Sequence, residues 1–270
     1  MLSQNSLEPR PLKIALTIAG SDPSGGAGLQ ADLKTFQQHG VYGASVVTLL
    51  TVQNTQRVSG IEILRPEFVR AQLEAVLEDI PPHAAKTGAL GTVELIEMVA
   101  DAAGHFAFPL VVDPVMISKH GHPLIDRAAI EALRVSLLPQ AFLITPNVRE
   151  AAELSGISTG ARASLREMAE ALADLGAKNV LVKSDSHSAD TKDLLWHDGQ
   201  VEEYSSPRIE SRCLHGTGCV LSAAITARLA LGEALPLAVA KAKRFVTAAI
   251  QSGPNLGQGI SPVNFLTPPE

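Results

Sequence analysis

The sequence predicts an α/β protein: a three-layer α/β/α sandwich around a mostly parallel central sheet. Three observations predict it. Short β-branched runs alternate along the chain with longer Ala- and Leu-rich stretches. Several of these runs are apolar almost throughout rather than at every second residue, as strands are when helices cover both faces of a parallel sheet. Glycine-bearing polar segments follow the runs closely, at the carboxyl ends of strands where open α/β sheets hold their ligands.

In chain order, the first strand is expected over Lys13–Ala19 and a periodic helical stretch over Ala27–His39. Ala44–Leu50 reads as the next strand and Pro66–Asp79 as the next helix, its proline suited to a first helical turn. Ala84–Thr87, Leu110–Asp113, Phe142–Thr145 and Val180–Lys183 are four short strands, with helices over Thr92–Ala103, Asp126–Leu137 and Ser164–Leu175. The pattern then changes. Asp193–His197 and Val201–Ser205 flank Asp198-Gly199, a hairpin turn dipeptide. Two long helices, roughly Gly218–Leu231 and Leu237–Gln251, precede a Pro/Gly-rich tail.

Bulk properties narrow the function classes. Of 270 residues, 46% are hydrophobic and 19% charged, enough to build a substantial core. A net charge of −6 offers no electrostatic footprint for nucleic acid or an anionic membrane. Met1–Lys13 is polar, with Pro9 and Pro11, and lacks the apolar core of a signal peptide. No run approaches the roughly 18 apolar residues of a membrane span. Cys213 and Cys219 are too few for a disulfide framework, so a reduced cytoplasmic protein is expected. With no low-complexity linker or repeat, residues 13–266 read as one domain after a flexible segment 1–12.

Five segments carry chemistry. Ala19–Gly28 places glycines after the first strand, where backbone can approach a ligand and the next helix presents free amides; a plain strand-to-helix turn is the alternative. It fits neither the Walker pattern nor the dinucleotide fingerprint. Asp32, in the helix that follows, reads by itself as a solvated carboxylate. His215-Gly216-Thr217-Gly218-Cys219 sets two glycines at a helix start, a cradle for a phosphoryl group. There the thiol of Cys219 is expected to ionise more readily than usual. Asp113 and Thr145-Pro146-Asn147-Val148-Arg149-Glu150 follow buried strands; Asp113 and Glu150 suit Mg²⁺ or its waters. Asn147 with Glu150 is also nearly a capping box for a helix. Lys183 closes an apolar strand as a point charge for phosphate, or merely where the chain meets water. Gln53, in Thr51–Thr55, offers a donor and an acceptor that match an aminopyrimidine edge, or simply belongs to a polar turn.

Together these segments resemble hydroxymethylpyrimidine/phosphomethylpyrimidine kinases. Residues 19–36 (AGSDPSGGAGLQADLKTF) resemble the family's opening, and Val52–Thr55, Asp113–Met116, Thr145–Asn147 with Glu150, and His215–Cys219 follow in the family's order. The resemblance covers nearly all of the chain from Lys13 to Phe265. It implies a ribokinase-like fold, usually a homodimer, that phosphorylates a small pyrimidine and its monophosphate from ATP with Mg²⁺ in thiamine biosynthesis. It also implies that Ala27, Asp32, Gln53, Ala89 and Val115 line the substrate pocket, with Asp32 near the hydroxymethyl group. Asp113, Asn147 and Glu150 would organise Mg²⁺, Asn147 and Lys183 would meet ATP phosphates, and Gly216, Thr217 and Gly218 would form the anion hole. Cys219 stands where the wider superfamily carries an aspartate base. A base there should matter more for the alcohol of the first transfer than for the ionised phosphate of the second.

Three departures stand out. Ala89 replaces a common methionine, leaving room for a bulkier pyridoxal-type ring. Ser184-Asp185 replace two glycines after Lys183. In the flap, Lys119–His122 carries histidine where an acidic residue is common, and its two histidines are expected either to make closure sensitive to pH or simply to be solvated at the surface. The rival readings are a pyridoxal kinase, a catalytically silent ligand-binding module and, more remotely, a Rossmann oxidoreductase.

Overall fold

Apolar residues at consecutive positions can all be buried only if a strand has a hydrophobic layer on each face, and this sheet does. The computed structural model describes residues 11–117, 121–158, 164–184 and 190–269. Strands β1 (Ile14–Ser21), β2 (Tyr42–Gln53), β3 (Val58–Ile63), β4 (Ala84–Thr87), β5 (Leu110–Val112), β6 (Leu143–Ile144), β7 (Val180–Val182), β8 (Asp190–His197) and β9 (Gln200–Pro207) form one sheet. Its order is β3-β2-β1-β4-β5-β6-β7-β8-β9. From β2 to β7 the pairs are parallel, while β3, β8 and β9 are antiparallel additions at the two edges.

Alternate residues of each central strand feed opposite layers. Leu16, Leu110, Val112, Ile144, Val180 and Val182 pack into one core with α2 (Pro66–Asp79), α3 (Val93–Ala103), α4 (Arg127–Ala132), α5 (Val148–Ser155) and α6 (Leu165–Asp174). Ala15, Val111, Leu143 and Leu181 face the other way, toward α1 (Gly28–Gln38), α7 (Thr217–Ala230) and α8 (Leu235–Gln251). The three-layer α/β/α sandwich is thus present, and the hairpin turns at Asp198-Gly199, both with positive φ.

Two elements differ from expectation. Strand β3 was not predicted: it pairs only with β2, and its partly exposed residues, with Gly60 among them, give no apolar run. The helix expected over Asp126–Leu137 is helical only to Ala132, then widens into a π-type turn over Leu133–Leu137. A short 3₁₀ turn carrying Pro139, which has no amide to donate, ends it. Among the described residues, no helix is long and apolar enough to cross a membrane.

Candidate active site

The parallel strands end along one edge of the sheet, and there a cavity of about 910 Å³ opens. Its wall takes Ser21 from the end of β1, Gln53 from β2, Lys86 from β4, Asp113 beyond β5, Asn147 beyond β6 and Lys183 beyond β7. Of the residues expected at a site, Ala27, Gln53, Ala89, Val115, Asp113, Asn147, Glu150, Lys183, Gly216, Thr217, Gly218 and Cys219 all line it.

The glycine-rich loop after β1 is folded around Asp22. That carboxylate accepts the Ser24 amide and hydroxyl at 2.8 and 2.7 Å, and the Gly26 and Ala27 amides at 3.2 and 2.9 Å. It also meets His215 Nε2 at 2.9 Å. Burial opposes its charge, but the bonds from His215 and Ser24 hold it below the usual carboxylate range. Gly28 and Gly216 have φ of +56° and +78°, and a side chain on either would strike the carbonyl of Gly20 or Gly26 respectively. The two ligand loops therefore pack backbone against backbone, which only glycine permits.

Gln53 lies on the cavity wall, its amide 3.2 Å from His215 Nε2 and 3.3 Å from Thr51 Oγ1. An ionised Asp22 requires a proton on His215 Nε2, so the face of the Gln53 amide turned to that ring must be its oxygen. The amide nitrogen then bonds Thr51 and presents a donor to a ligand.

Asp32 departs from both expectations for it. It is not solvated, with 0% exposure, and it does not line the cavity. It accepts Thr17 Oγ1 at 2.6 Å and Lys86 Nζ at 2.8 and 2.9 Å. Lys86 stands between it and the cavity wall. No role was predicted for Lys86, although a lysine inside the buried strand Ala84–Thr87 was the available signal.

Asp113 is 3% exposed and accepts Lys183 at 3.3 Å, Thr145 Oγ1 at 3.4 Å and Ser222 Oγ at 3.1 Å. Burial and the neighbouring Asp113 push the Glu150 carboxyl up to about 7, against the pull of Lys183. Two carboxylates on the wall of one cavity fit Mg²⁺, which takes oxygen ligands and keeps several waters. Among the described residues there is no larger cluster of metal-binding side chains. Asn147 completes a capping box with Glu150: its Oδ1 accepts the Arg149 and Glu150 amides, and Glu150 accepts the Asn147 amide. Only its Nδ2 is left for a ligand.

The start of α7 has no side-chain cap, so its first-turn amides at Thr217, Gly218 and Cys219 remain for an anion. The expectation of a readily ionised Cys219 fails. Burial, with Asp32 and Asp113 nearby, drives the thiol up to about 12 despite Lys86 and the Gly28 amide. The thiol is half-buried on the cavity wall, and the surrounding protein and carboxylates outweigh the helix dipole there. Ser184 lines the cavity and its amide bonds Asp193 at 3.1 Å, while Asp185 lies outside the described residues. Of the flap, Lys119 and His120 lie outside them too, and His122 is exposed.

Three comparisons follow from this geometry. Residues 22–264 match the family model described as phosphomethylpyrimidine kinase. The chain is 48% identical to a hydroxymethylpyrimidine/phosphomethylpyrimidine kinase of Haemophilus influenzae, over 94% of this chain and 96% of the other. It is 47% identical to the thiamine biosynthesis bifunctional protein ThiED of Geobacter sulfurreducens; the match covers 97% of this chain but only 54% of that longer protein. Among solved structures, an ADP complex of Bacillus subtilis pyridoxal kinase superposes with a TM-score of 0.87 at 36% identity, covering 95% of this chain and 98% of the other.

Proposed function

Because the chain belongs to the phosphomethylpyrimidine kinase family, we propose that it phosphorylates 4-amino-5-hydroxymethyl-2-methylpyrimidine and then its monophosphate, using ATP. One observation carries this reading. A single cavity holds an amide suited to an aminopyrimidine edge together with uncapped helix amides beside Lys183, Asp113 and Glu150. Between the β8–β9 hairpin and α7–α8, the wall formed by Leu221, Val246 and Ile250 with Thr191 and Ser206 offers an apolar slot with polar edges for the nucleoside.

In the first transfer the substrate's hydroxyl oxygen bonds to the γ-phosphorus, the bond to the β-phosphate bridging oxygen breaks, and ADP leaves with that electron pair. Catalysis is then a matter of alignment and charge neutralisation. The amides of Thr217 to Cys219 and the Lys183 ammonium hold the phosphoryl oxygens. Asp113 and Glu150 would hold Mg²⁺, which when bound supplies positive charge at the phosphates. Thr217 Oγ1 bonds the Leu214 carbonyl at 3.3 Å, so its amide is the group turned to phosphate.

A second reading is pyridoxal as the alcohol. Ala89, on the cavity wall with its carbonyl held by Thr48 at 2.6 Å, leaves room there, and the B. subtilis neighbour is named a pyridoxal kinase. An ADP-release assay with MgATP and each of the three acceptors, with product masses, decides. Turnover of both pyrimidines with pyridoxal much slower is expected; preference for pyridoxal would replace the reading. The chain also acts as a homodimer in this reading. Leu50 and Val52 on β2 and Phe68 on α2 are at least 46% exposed, an apolar surface suited to a second copy. Sedimentation at a single-chain mass would refute that.

A further inference from the structure

Among the described residues three lysines line the cleft: phosphate binding accounts for Lys183 and a 2.6 Å pair with Asp193 for Lys243, which leaves Lys86. Lys86 has 0% exposure, yet it forms part of the cavity wall. Its Nζ bonds both oxygens of Asp32, and Thr17 Oγ1 holds one of those oxygens from behind. Running outward, the order is Thr17, Asp32, Lys86, cavity. Asp32 aims the ammonium and keeps it charged; Asp113 and Cys219 are the other titratable groups that face it. An ammonium has three N–H donors, and Asp32 has two oxygens to take them.

A purely structural role explains this poorly. A buried ion pair is weak support for stability, since apolar residues of the same volume do as well or better. Its place is informative. Lys86 stands with Ala27, Gln53, Ala89 and Cys219 on the wall of the cavity. The thiol beside it is neutral at physiological pH, because burial raises it to about 12.

Resting on the kinase reading above, we infer that Lys86 is a catalytic residue whose ammonium donates to the attacking oxygen, with Asp32 as its positioning residue. In the first transfer that oxygen is the substrate's hydroxyl, which takes on alkoxide character as its bond to phosphorus forms. Its proton passes to an oxygen of the transferred phosphoryl group, and ADP leaves with the electrons of the broken bond. In the second transfer the same ammonium meets a phosphate oxygen of the monophosphate. Fixed charge at the position where negative charge develops stabilises a transition state more than it does the ground state.

The double variant Lys86→Met/Asp32→Asn tests this, since it removes both charges without leaving one buried alone. It is compared with the wild type by circular dichroism, by binding of ADP and by steady-state turnover of both pyrimidines. The expected result is a folded protein that binds ADP as before and has lost about 10²–10³-fold in kcat for both transfers. A folded double variant with kcat within about threefold of wild type overturns the proposal. If the double variant does not fold, Asp32→Asn alone decides. Lys86 then stays buried without its counter-charge and loses its proton more easily, so the alkaline limb of kcat must move to lower pH. An unmoved limb overturns the proposal. Wild-type protein that turns over none of the three acceptors refutes the kinase reading itself, whereas failure of the Lys86 role appears only in the variants.

Discussion

Of the three lysine–aspartate pairs that the described residues bring to the cleft, Lys86–Asp32 and Lys183–Asp113 are alike in composition and opposite in construction, while Lys243–Asp193 ties α8 to β8. Lys86 and Asp32 are both 0% exposed, share two hydrogen bonds below 3 Å and are braced by Thr17. Lys183 and Asp113 meet through a single 3.3 Å contact, with Lys183 16% exposed and Glu150 adding a second carboxylate. The first pair is closed: each charge already has its partner. The second is open, with more carboxylate than ammonium, and fits a site that receives a cation and phosphates together. Burial thus separates a fixed charge, which acts on whatever atom is brought to it, from an exchangeable one that rearranges when ligand arrives.

If this contrast holds, removing the open pair's lysine has the larger effect on nucleotide use. Lys183→Met deletes the charge proposed to meet phosphate and removes the ammonium that neighbours Asp113 and Glu150. Single-substrate kinetics varying MgATP should show kcat/KM lowered about 10²–10³-fold, with affinity for the pyrimidine alone unchanged. An equal loss of pyrimidine affinity would mean that the two pairs do not divide the site between them.

The open pair also leaves a signature in pH. Glu150 is raised above its ordinary value of 4.5 to about 7. The folded state therefore holds this proton more tightly than the unfolded chain does. Stability is undiminished below pH 4.5, falls as pH rises through that window and reaches its lowest contribution above about 7. Glu150→Gln removes the effect while keeping a residue that completes a capping box. Without metal, thermal melting should find the variant more stable than wild type at pH 8 and the difference gone near pH 4.5. Mg²⁺ should stabilise the wild type more at pH 8 than at pH 5.5, because it needs the ionised carboxylate. A pH-independent difference would place Glu150 outside the carboxylate pair.

How far each pair can be read from sequence follows from the same contrast. Asp113 and Lys183 follow short apolar runs whose alternate residues, such as Val111 against Leu110 and Val112, feed both helical layers, so their place at strand ends was legible, as was that of Glu150 in the helix start after such a run. The Asp32–Lys86 pair was not. Its members lie 54 positions apart and meet only because β4 pairs beside β1 while α1 packs against β1. Asp32 was therefore read as lining the substrate pocket near the hydroxymethyl group, whereas it is buried against Lys86 and does not reach the cavity wall. Cys219 failed for a related reason: helix position is local and visible, whereas burial among Asp32, Lys86 and Asp113 comes from three separate elements.

The smallest expected effect bears on that thiol. As a general base, Cys219 would have to accept the hydroxyl's proton in the first transfer, and such catalysis is worth about 10²–10⁴-fold. Cys219→Ser would then damage the first transfer selectively, since the second uses a phosphate already ionised. A thiol raised to about 12 is neutral at pH 7 and has no lone proton site to offer. It can still shape the start of α7, where its carbonyl accepts Ser222 Oγ at 3.0 Å and the Gly28 amide meets its sulfur. That contact serves both transfers alike. Cys219→Ser should accordingly lower both kcat values by similar factors below about tenfold, measured with the two pyrimidines in parallel. A selective loss of about 10²-fold in the first transfer would restore the base. It would also require that bound substrate bring the thiol down through Lys86, making the closed pair an activator of Cys219 rather than the group that meets the attacking oxygen.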